Sequence, residues 1–493
     1  MDDRRLEFKQ QPDPELEDLL AEGLSAPPED VLREVTPWRR AMNRVLTGLA
    51  LTSVTLNFLC LNYLLPAVGY VQLLLGLRAL RRENGFFQTW WAVNLARSGW
   101  FFFCLLRSAV PGSQAFFALP PLKILGYSAI VLQFVQLFCL WRGLKAIQRK
   151  AGLPPEASGG ALIVWHLVAV GLALTEYSGW LLGLPVIIAY FFILYLLYHL
   201  SKDLDEAGYT VQPASVQVDD RVLVWGITAV LAAGLAVCYL FLNRFPMDWQ
   251  PVDPAEHSQV TELEGELLEL GFPEEVLADL TRSDILACAG AVRVEVDRER
   301  HSLTMSWDDD TPKPLAMTHV AVELAGEPKS WRVFHYFAWD SGTQFYGSEA
   351  FQLWTLYDHM EGGWSKLADP DGRLLYDRDG TTYCSPYHSL GVEAYATDSM
   401  FFGPQSYNDP MASFSFPRNG ECCRGYVTYE AEEVQEGWLL SSWINYVHQQ
   451  KRFVYPAQTA REWQMSGAWN GDGQPFLRIQ TAIQFYPFEW PPS

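Results

Sequence analysis

The chain has 493 residues, 49% of them hydrophobic, with a formal net charge of −21. That length exceeds one ordinary domain. The charge is lopsided: up to Arg244 there are 20 Lys+Arg and 19 Asp+Glu, a net of +1, and from Phe245 onward 16 and 38, a net of −22. So acidic a surface repels polyanions, which excludes nucleic acid as a partner and leaves cations or cationic surfaces.

Residues 1–43 read as an acidic cytoplasmic tail. Acids recur along it (Asp2, Asp3, Glu15, Glu17, Asp18), without a short apolar core before a small-residue cleavage site. No signal peptide is expected, and the composition is that of a solvated segment.

Residues 44–243 read as a multi-pass helical membrane domain. Residues 45–77 form a run of 33 without a charge. One straight helix of that length would be about 50 Å long, against a hydrocarbon core of about 30 Å. Arg39, Arg40 and Arg44 precede the run, and Arg78, Arg81 and Arg82 follow it. Basic residues collect on the cytoplasmic side, so the chain must go out and return. A turn is expected over Asn62, Tyr63, Pro66 and Gly69. Further spans are expected at 86–108, 123–141, 162–182, 184–200 and 221–243, with 162–182 and 184–200 joined at the outer side by a turn in "GWLLGLP" (179–185). Arg142, Lys145, Arg149, Lys150 and Lys202 mark inner ends. The expectation is seven transmembrane helices in the plasma membrane, N-terminus inside and C-terminal half outside. Gly226, Ala229, Ala233, Gly234 and Ala236 predict close packing of the last span.

Arg97 lies half-way along its span, with Gln133 and Gln136 in the next and Glu176 within reach of a long side chain. These four residues would line an ion or substrate pathway, or tie helices together by hydrogen bonds. The second reading is the simpler one, because no inverted repeat or recurring broken helix is visible.

After Arg244 the pattern changes. Residues 244–290 read as short helices: Gly271 ends one, Pro273 opens the next, and Ser283-Asp284 can cap a third. Residues 291–493 read as about ten short strands. "WRVFHYFAW" (331–339) is apolar on both faces, as a covered central strand would be. "FLRIQTAIQF" (476–485) alternates, with Leu477, Ile479, Thr481, Ile483 and Phe485 on one face. The expected fold class is a membrane α-helical bundle followed by an extracytoplasmic α+β domain, short helices and then a β-sandwich.

Eleven of the 19 tryptophans follow Arg244. Such rings fill cores, and where exposed they stack on sugars or peptides. The segments carrying Trp339, Trp443, Tyr446 and His448 are the candidate binding surface, for a peptide, a glycan or another envelope protein. Asp369, Asp371, Asp377 and Asp379 stand on two D-x-D-G-like corners. Calcium needs several oxygens converging on one point, but β-turns flanking the strand "RLLY" explain the same letters more simply. No other cofactor is expected. A disulfide from Cys384 to Cys422 or Cys423 is open. No H-E-x-x-H, C-x-x-C, G-x-S-x-G or P-loop occurs, so no motif singles out catalytic residues. The leading reading is an integral membrane protein presenting an acidic, aromatic-rich domain for binding, sensing or envelope-protein interaction. Its alternatives are a transporter or channel with its site around Arg97, and a surface glycan hydrolase.

Overall fold

The computed structural model describes residues 36–53, 60–175, 180–211, 218–253, 255–304, 311–355, 363–399, 403–471 and 473–487. The acidic tail before residue 36 and Glu176 lie outside them. By its contacts the chain divides into two compact units, residues 1–102 with 124–226, and 103–123 with 227–493.

Eight helices are described up to residue 237: α1 (Pro37–Ser53), α2 (Leu61–Leu80), α3 (Gly85–Arg107), α4 (Ser113–Ala118), α5 (Pro120–Lys150), α6 (Ser158–Leu174), α7 (Trp180–Glu206) and α8 (Asp220–Val237). A π-helical turn, Cys238–Leu242, extends α8. The uncharged run is two antiparallel helices, α1 and α2, as its length demanded. The break, however, falls between Ser53 and Leu61, and the expected turn residues Pro66 and Gly69 lie inside α2. Gly69 serves packing instead: a Cβ there would lie 3.0 Å from the Gly48 carbonyl oxygen, and one on Gly76 would lie 2.7 Å from that of Ala41. Glycines let the two backbones touch. Pro66 removes one helical hydrogen bond, a loss that packed membrane helices tolerate. The same correction applies to the turn expected over 179–185, since Gly183 and Pro185 lie within α7.

Among the described residues, four helices are long and apolar enough to cross a membrane: Leu61–Leu80, Pro120–Lys150, Leu181–Glu206 and Asp220–Leu242. Ser158–Leu174 is apolar but shorter. The other two of the seven expected spans correspond to α1, 17 residues long with Arg39, Arg40 and Arg44, and α3, which carries Asn94 and Arg97. The expected close packing of α8 is not found, since none of its residues is buried. A Cβ on Gly226 would meet nothing within 4 Å, and only Gly234 is crowded, by Leu106. Small residues permit a close approach only where another helix faces them, as at α1 and α2.

Polar contacts of the helical unit gather at one end. Asp220 pairs with Arg44 at 2.6 Å and Arg78 at 3.4 Å. Thr36 donates to Asp205 at 2.6 Å, Arg39 to the Tyr198 hydroxyl at 3.0 Å, and Lys150 to the Glu83 carbonyl at 2.9 Å. The starts of α1 and α8 thus lie with the ends of α2, α5 and α7.

Among the described residues the second unit has thirteen strands in two antiparallel sheets. They are β1 (Gln250–Pro251), β2 (Ala291–His301), β3 (Leu315–Leu324), β4 (Ser330–Trp339), β5 (Glu349–Trp354), β6 (Trp364–Lys366), β7 (Asp371–Arg378), β8 (Thr381–Ser385), β9 (Ser389–Ser399), β10 (Gly403–Phe414), β11 (Glu421–Glu433), β12 (Leu440–Gln449) and β13 (Phe476–Phe485). The larger sheet runs β1-β8-β7-β11-β4-β3-β2, with β6 also on β11, and the smaller β13-β12-β5-β10-β9. β4 is covered on both faces. Phe334 and Tyr336 pack under α9 (Thr261–Glu269), α10 (Glu274–Leu277) and α11 (Arg282–Leu286) through Leu267, Val276 and Ile285. Phe337 and Trp339 join Phe351, Phe414 and Tyr446 of the other sheet in one buried cluster. Along β13, Leu477, Ile479, Thr481 and Ile483 are buried in alternation, so the period-2 pattern of the sequence describes a half-covered strand.

Gly271 follows α9 with φ +93°, and Pro273 precedes α10. The cap of α11 is Thr281, whose hydroxyl accepts from the Asp284 backbone N–H at 3.1 Å. Ser283 and Asp284, expected as caps, stand inside the first turn. Asp284 instead points into the sheet, meeting Arg332 at 3.0 Å and the Tyr426 hydroxyl. Asp279 does likewise with Arg424, at 2.6 Å, and with Tyr336, at 2.8 Å. These charged contacts lock the short helices onto the larger sheet. Burial pulls the Arg424 pKa down, but the Asp279 and Asp377 carboxylates outweigh it and hold the guanidinium above its usual range.

Candidate functional sites

Arg97 on α3 donates to the side-chain oxygens of both Gln133 and Gln136 on α5. The glutamines stand three residues apart, on one helical face. Gln136 passes a hydrogen bond on to Asn94, one turn before Arg97, at 3.3 Å. Gln133 meets His166 Nε2 of α6 at 3.1 Å, while His166 Nδ1 lies 3.1 Å from the Leu162 carbonyl. A carbonyl only accepts, so Nδ1 carries the proton and Nε2 accepts from Gln133. The guanidinium also lies 5.9 Å from the Tyr70 ring centre. The structure therefore gathers Arg97, Gln133 and Gln136 and adds Asn94 and His166; Glu176 is not among the described residues. His166 carried no motif in the sequence, and only the placement of α6 beside α5 brings it to Gln133. Its ring also meets that of Trp165 edge-on at 4.9 Å.

Trp339, Tyr446 and His448 form no surface: they are 4%, 0% and 2% exposed, and Trp443 is half-buried. The aromatic density that marked these segments reflects the core between the sheets. Inside that core lies a carboxylate, Glu349, fully buried, with both oxygens within 3.1 Å of His448 Nδ1. Trp339 donates to the Tyr446 hydroxyl at 3.1 Å beside it. Carboxylate and imidazole in contact are the pair used for general acid–base work, yet here they are shut from solvent.

The four aspartates do not converge. Asp371 and Asp377 lie at opposite ends of β7, about 20 Å apart along a strand. Asp377 pairs with Arg424, and Asp369 with Lys366. Asp379 and Gly380, at φ +53° and +74°, make the two-residue turn between β7 and β8. Among the described residues no three His, Cys, Asp or Glu are placed to hold a metal. Cys384, Cys422 and Cys423 are free thiols. Leu375 of β7 pairs with Cys384 on one side and Arg424 on the other, so two strand spacings, about 9.5 Å, separate Cys384 from the start of β11. A disulfide needs less than about 7 Å.

A cavity of about 540 Å³ opens within the second unit where Leu235, Ala236 and Leu240 meet Phe345, Arg418 and Arg452. Beside it Arg244 donates to the carbonyls of Phe416 and Phe345. Burial, and then the charge of Arg418, pull its pKa to about 10 against the opposing pull of Glu349.

No known protein family matches the chain, and no curated protein does. Among solved structures, it is similar to one described as "AvmM Catalyzes Macrocyclization in Alchivemycin A Biosynthesis", at 10% identity over 41% of this chain and 91% of that one, with a TM-score of 0.14. At that score nothing carries over.

Proposed function

We propose that the chain is a multi-pass membrane protein that carries its acidic α+β unit, read as a closed β-sandwich, outside the cytoplasm as a binding or sensing module. The observation that carries this reading is the apolar surface left on the helices. Leu174 is 81% exposed, Trp225 71%, Leu181 69% and Ile124 69%. Contiguous surface of this kind aggregates in water and is solvated by lipid. The orientation is supported by the gathering of Arg39, Arg44, Arg78 and Lys150 at one end of the helical unit, the end that the basic bias assigns to the cytoplasm.

A binding module is favoured over a hydrolase because the buried carboxylates that meet an imidazole or a guanidinium serve packing. Glu349 is enclosed, and Asp279 and Asp284 fasten helices to the sheet. The Arg97 cluster reads as an internal tie between α3, α5 and α6, since the hydrogen bonds of its members run to one another. The test is cysteine labelling in intact cells, in a variant with Cys60 and Cys422 replaced by serine. A cysteine at Ser258 should react with an impermeant maleimide, and one at Ser158 only after lysis. The reverse order would place the β-rich unit in the cytoplasm, and release of the chain by alkaline carbonate would remove it from the bilayer.

A further inference from the structure

The cavity beside Arg244 has a mixed lining. Leu235, Ala236 and Leu240, at the end of the last apolar helix, supply hydrocarbon. Arg418 and Arg452 supply guanidiniums, and no Asp or Glu lines the space. Neither arginine forms an ion pair among the described residues. Arg418 spends one donor on the Leu240 carbonyl, at 3.3 Å, and Arg452 lies 5.8 Å from the Phe453 ring centre. A guanidinium has five N–H donors, so most of their capacity faces open space.

This placement is anomalous in a half-chain of net charge −22. Elsewhere in the unit several arginines find carboxylates, Arg300 with Asp340, Arg373 with Glu256 and Arg461 with Glu393, and Arg478 spends its donors on Gln464 and the Ala468 carbonyl. Around the cavity three arginines, 244, 418 and 452, stand without one. Like charges so grouped repel, and an anion between them removes the cost. The anion must also suit an apolar wall continuous with Phe241, 73% exposed, and Leu242, 49% exposed. Guanidinium pairs recognise phosphate oxygens through two parallel hydrogen bonds. We propose that this cavity holds the phosphate headgroup of an anionic lipid, with the acyl chains lying along the residue 235–242 segment. The proposal rests on the membrane reading above and names the ligand class that the β-rich unit would take.

The experiment uses the full chain purified in detergent, titrated with phosphatidylglycerol, phosphatidylcholine or soluble glycerol phosphate, with native mass spectrometry and melting as readouts. Phosphatidylglycerol should stay bound and raise the melting temperature, and phosphatidylcholine should do neither. Arg418→Gln with Arg452→Gln should weaken phosphatidylglycerol binding about thirty-fold, taking about fivefold per basic residue at a lipid surface. The lysine pair should recover most of it, and Arg298→Gln, a surface charge elsewhere, should change nothing. Equal binding of the two lipids, or phosphatidylglycerol binding unchanged in the glutamine pair, overturns the proposal. Glycerol phosphate matching the lipid overturns it in favour of a soluble phosphate ester. Failure of the membrane reading is separate: it appears as release by alkaline carbonate, whatever the arginine variants do.

Discussion

His335 and His319 face each other across β4 and β3 with their Nδ1 atoms 2.7 Å apart, both wholly buried. One nitrogen must carry the proton and the other a lone pair. The neighbours decide which. Thr481 donates to the Glu299 carboxylate at 2.7 Å, so its oxygen is left to accept from His319 Nε2 at 3.0 Å. His319 Nδ1 is then the lone pair, and His335 Nδ1–H donates to it. His335 Nε2 in turn accepts from Ser442 at 2.7 Å, while the Tyr429 hydroxyl lies against both Ser442 and the Thr355 carbonyl, which only accepts. A single direction of donation runs from Ser442 to Glu299 through two neutral imidazoles and links the two sheets.

Acid should therefore weaken the β-rich unit. Burial, with the charge of His301, pushes the His319 pKa down to about 3, and burial with the charge of His319 holds His335 well below its ordinary value. The unfolded chain takes up protons near pH 6.5 that the folded one refuses, so stability falls as pH drops from about 7 toward 3. At pH 5 His319 alone costs about 2 kcal/mol, and His335 adds in the same direction. Hydrogen exchange of the β3 and β4 amides, corrected for intrinsic rate, should lose at least about thirty-fold protection between pH 7 and 5. Protection that does not change would mean that these imidazoles stay charged in the fold.

Glu349 and His448 should behave as a unit. His448→Leu strips a buried carboxylate of its imidazole partner, which should cost about 3–5 kcal/mol, whereas adding Glu349→Met should return much of that loss. Thermal melting of the single and double variants provides the cycle. Additive losses would mean that the two residues do not share the contact seen at 3.0 Å.

Some of this was legible in the sequence and some was not, for identifiable reasons. The helix pair in residues 45–77 followed from length and from flanking arginines, both properties of the whole run. Its turn was misplaced because Pro66 and Gly69 carry the same letters whether they bend a chain or let helices touch, and only the neighbour at Gly48 distinguishes the two. Alternation on β13 and double-sided apolarity on β4 described strands correctly, because burial repeats along them with the pleat. The aromatic segments around Trp339 and Tyr446 were misread as surface because composition does not say which face of a strand is covered. The histidine relay stayed invisible because its members, at 299, 319, 335, 442 and 481, are brought together only by sheet register.

The contact between α1 and α2 is narrow enough to fail on one methyl. In Gly76→Ala the new Cβ would meet the Ala41 carbonyl oxygen and a Val45 methyl, both at 2.7 Å. Backbone cannot yield as a side-chain tip does, so a loss of about 1–3 kcal/mol is expected. Gly99→Ala on α3 meets nothing within 4 Å and should be neutral or gain up to about 1 kcal/mol in helix propensity. Melting of the detergent-purified variants ranks them, and equal melting of the two would show that the helices stand further apart.

Arg97 offers the sharpest separation of packing from chemistry. It donates to both Gln133 and Gln136, so any apolar replacement removes two hydrogen bonds, each worth about 0.6 kcal/mol on average between membrane helices. Arg97→Leu loses those bonds but also a half-buried charge with no carboxylate beside it among the described residues, and it still fills the site. Arg97→Ala loses the same bonds and leaves a void, which costs more. Leucine should therefore be tolerated better than alanine, by about 1–2 kcal/mol in melting of the purified chain. If leucine and alanine instead melt together at the wild-type temperature, the guanidinium is solvated by water or headgroups, and the five-residue cluster does not hold α3, α5 and α6 together.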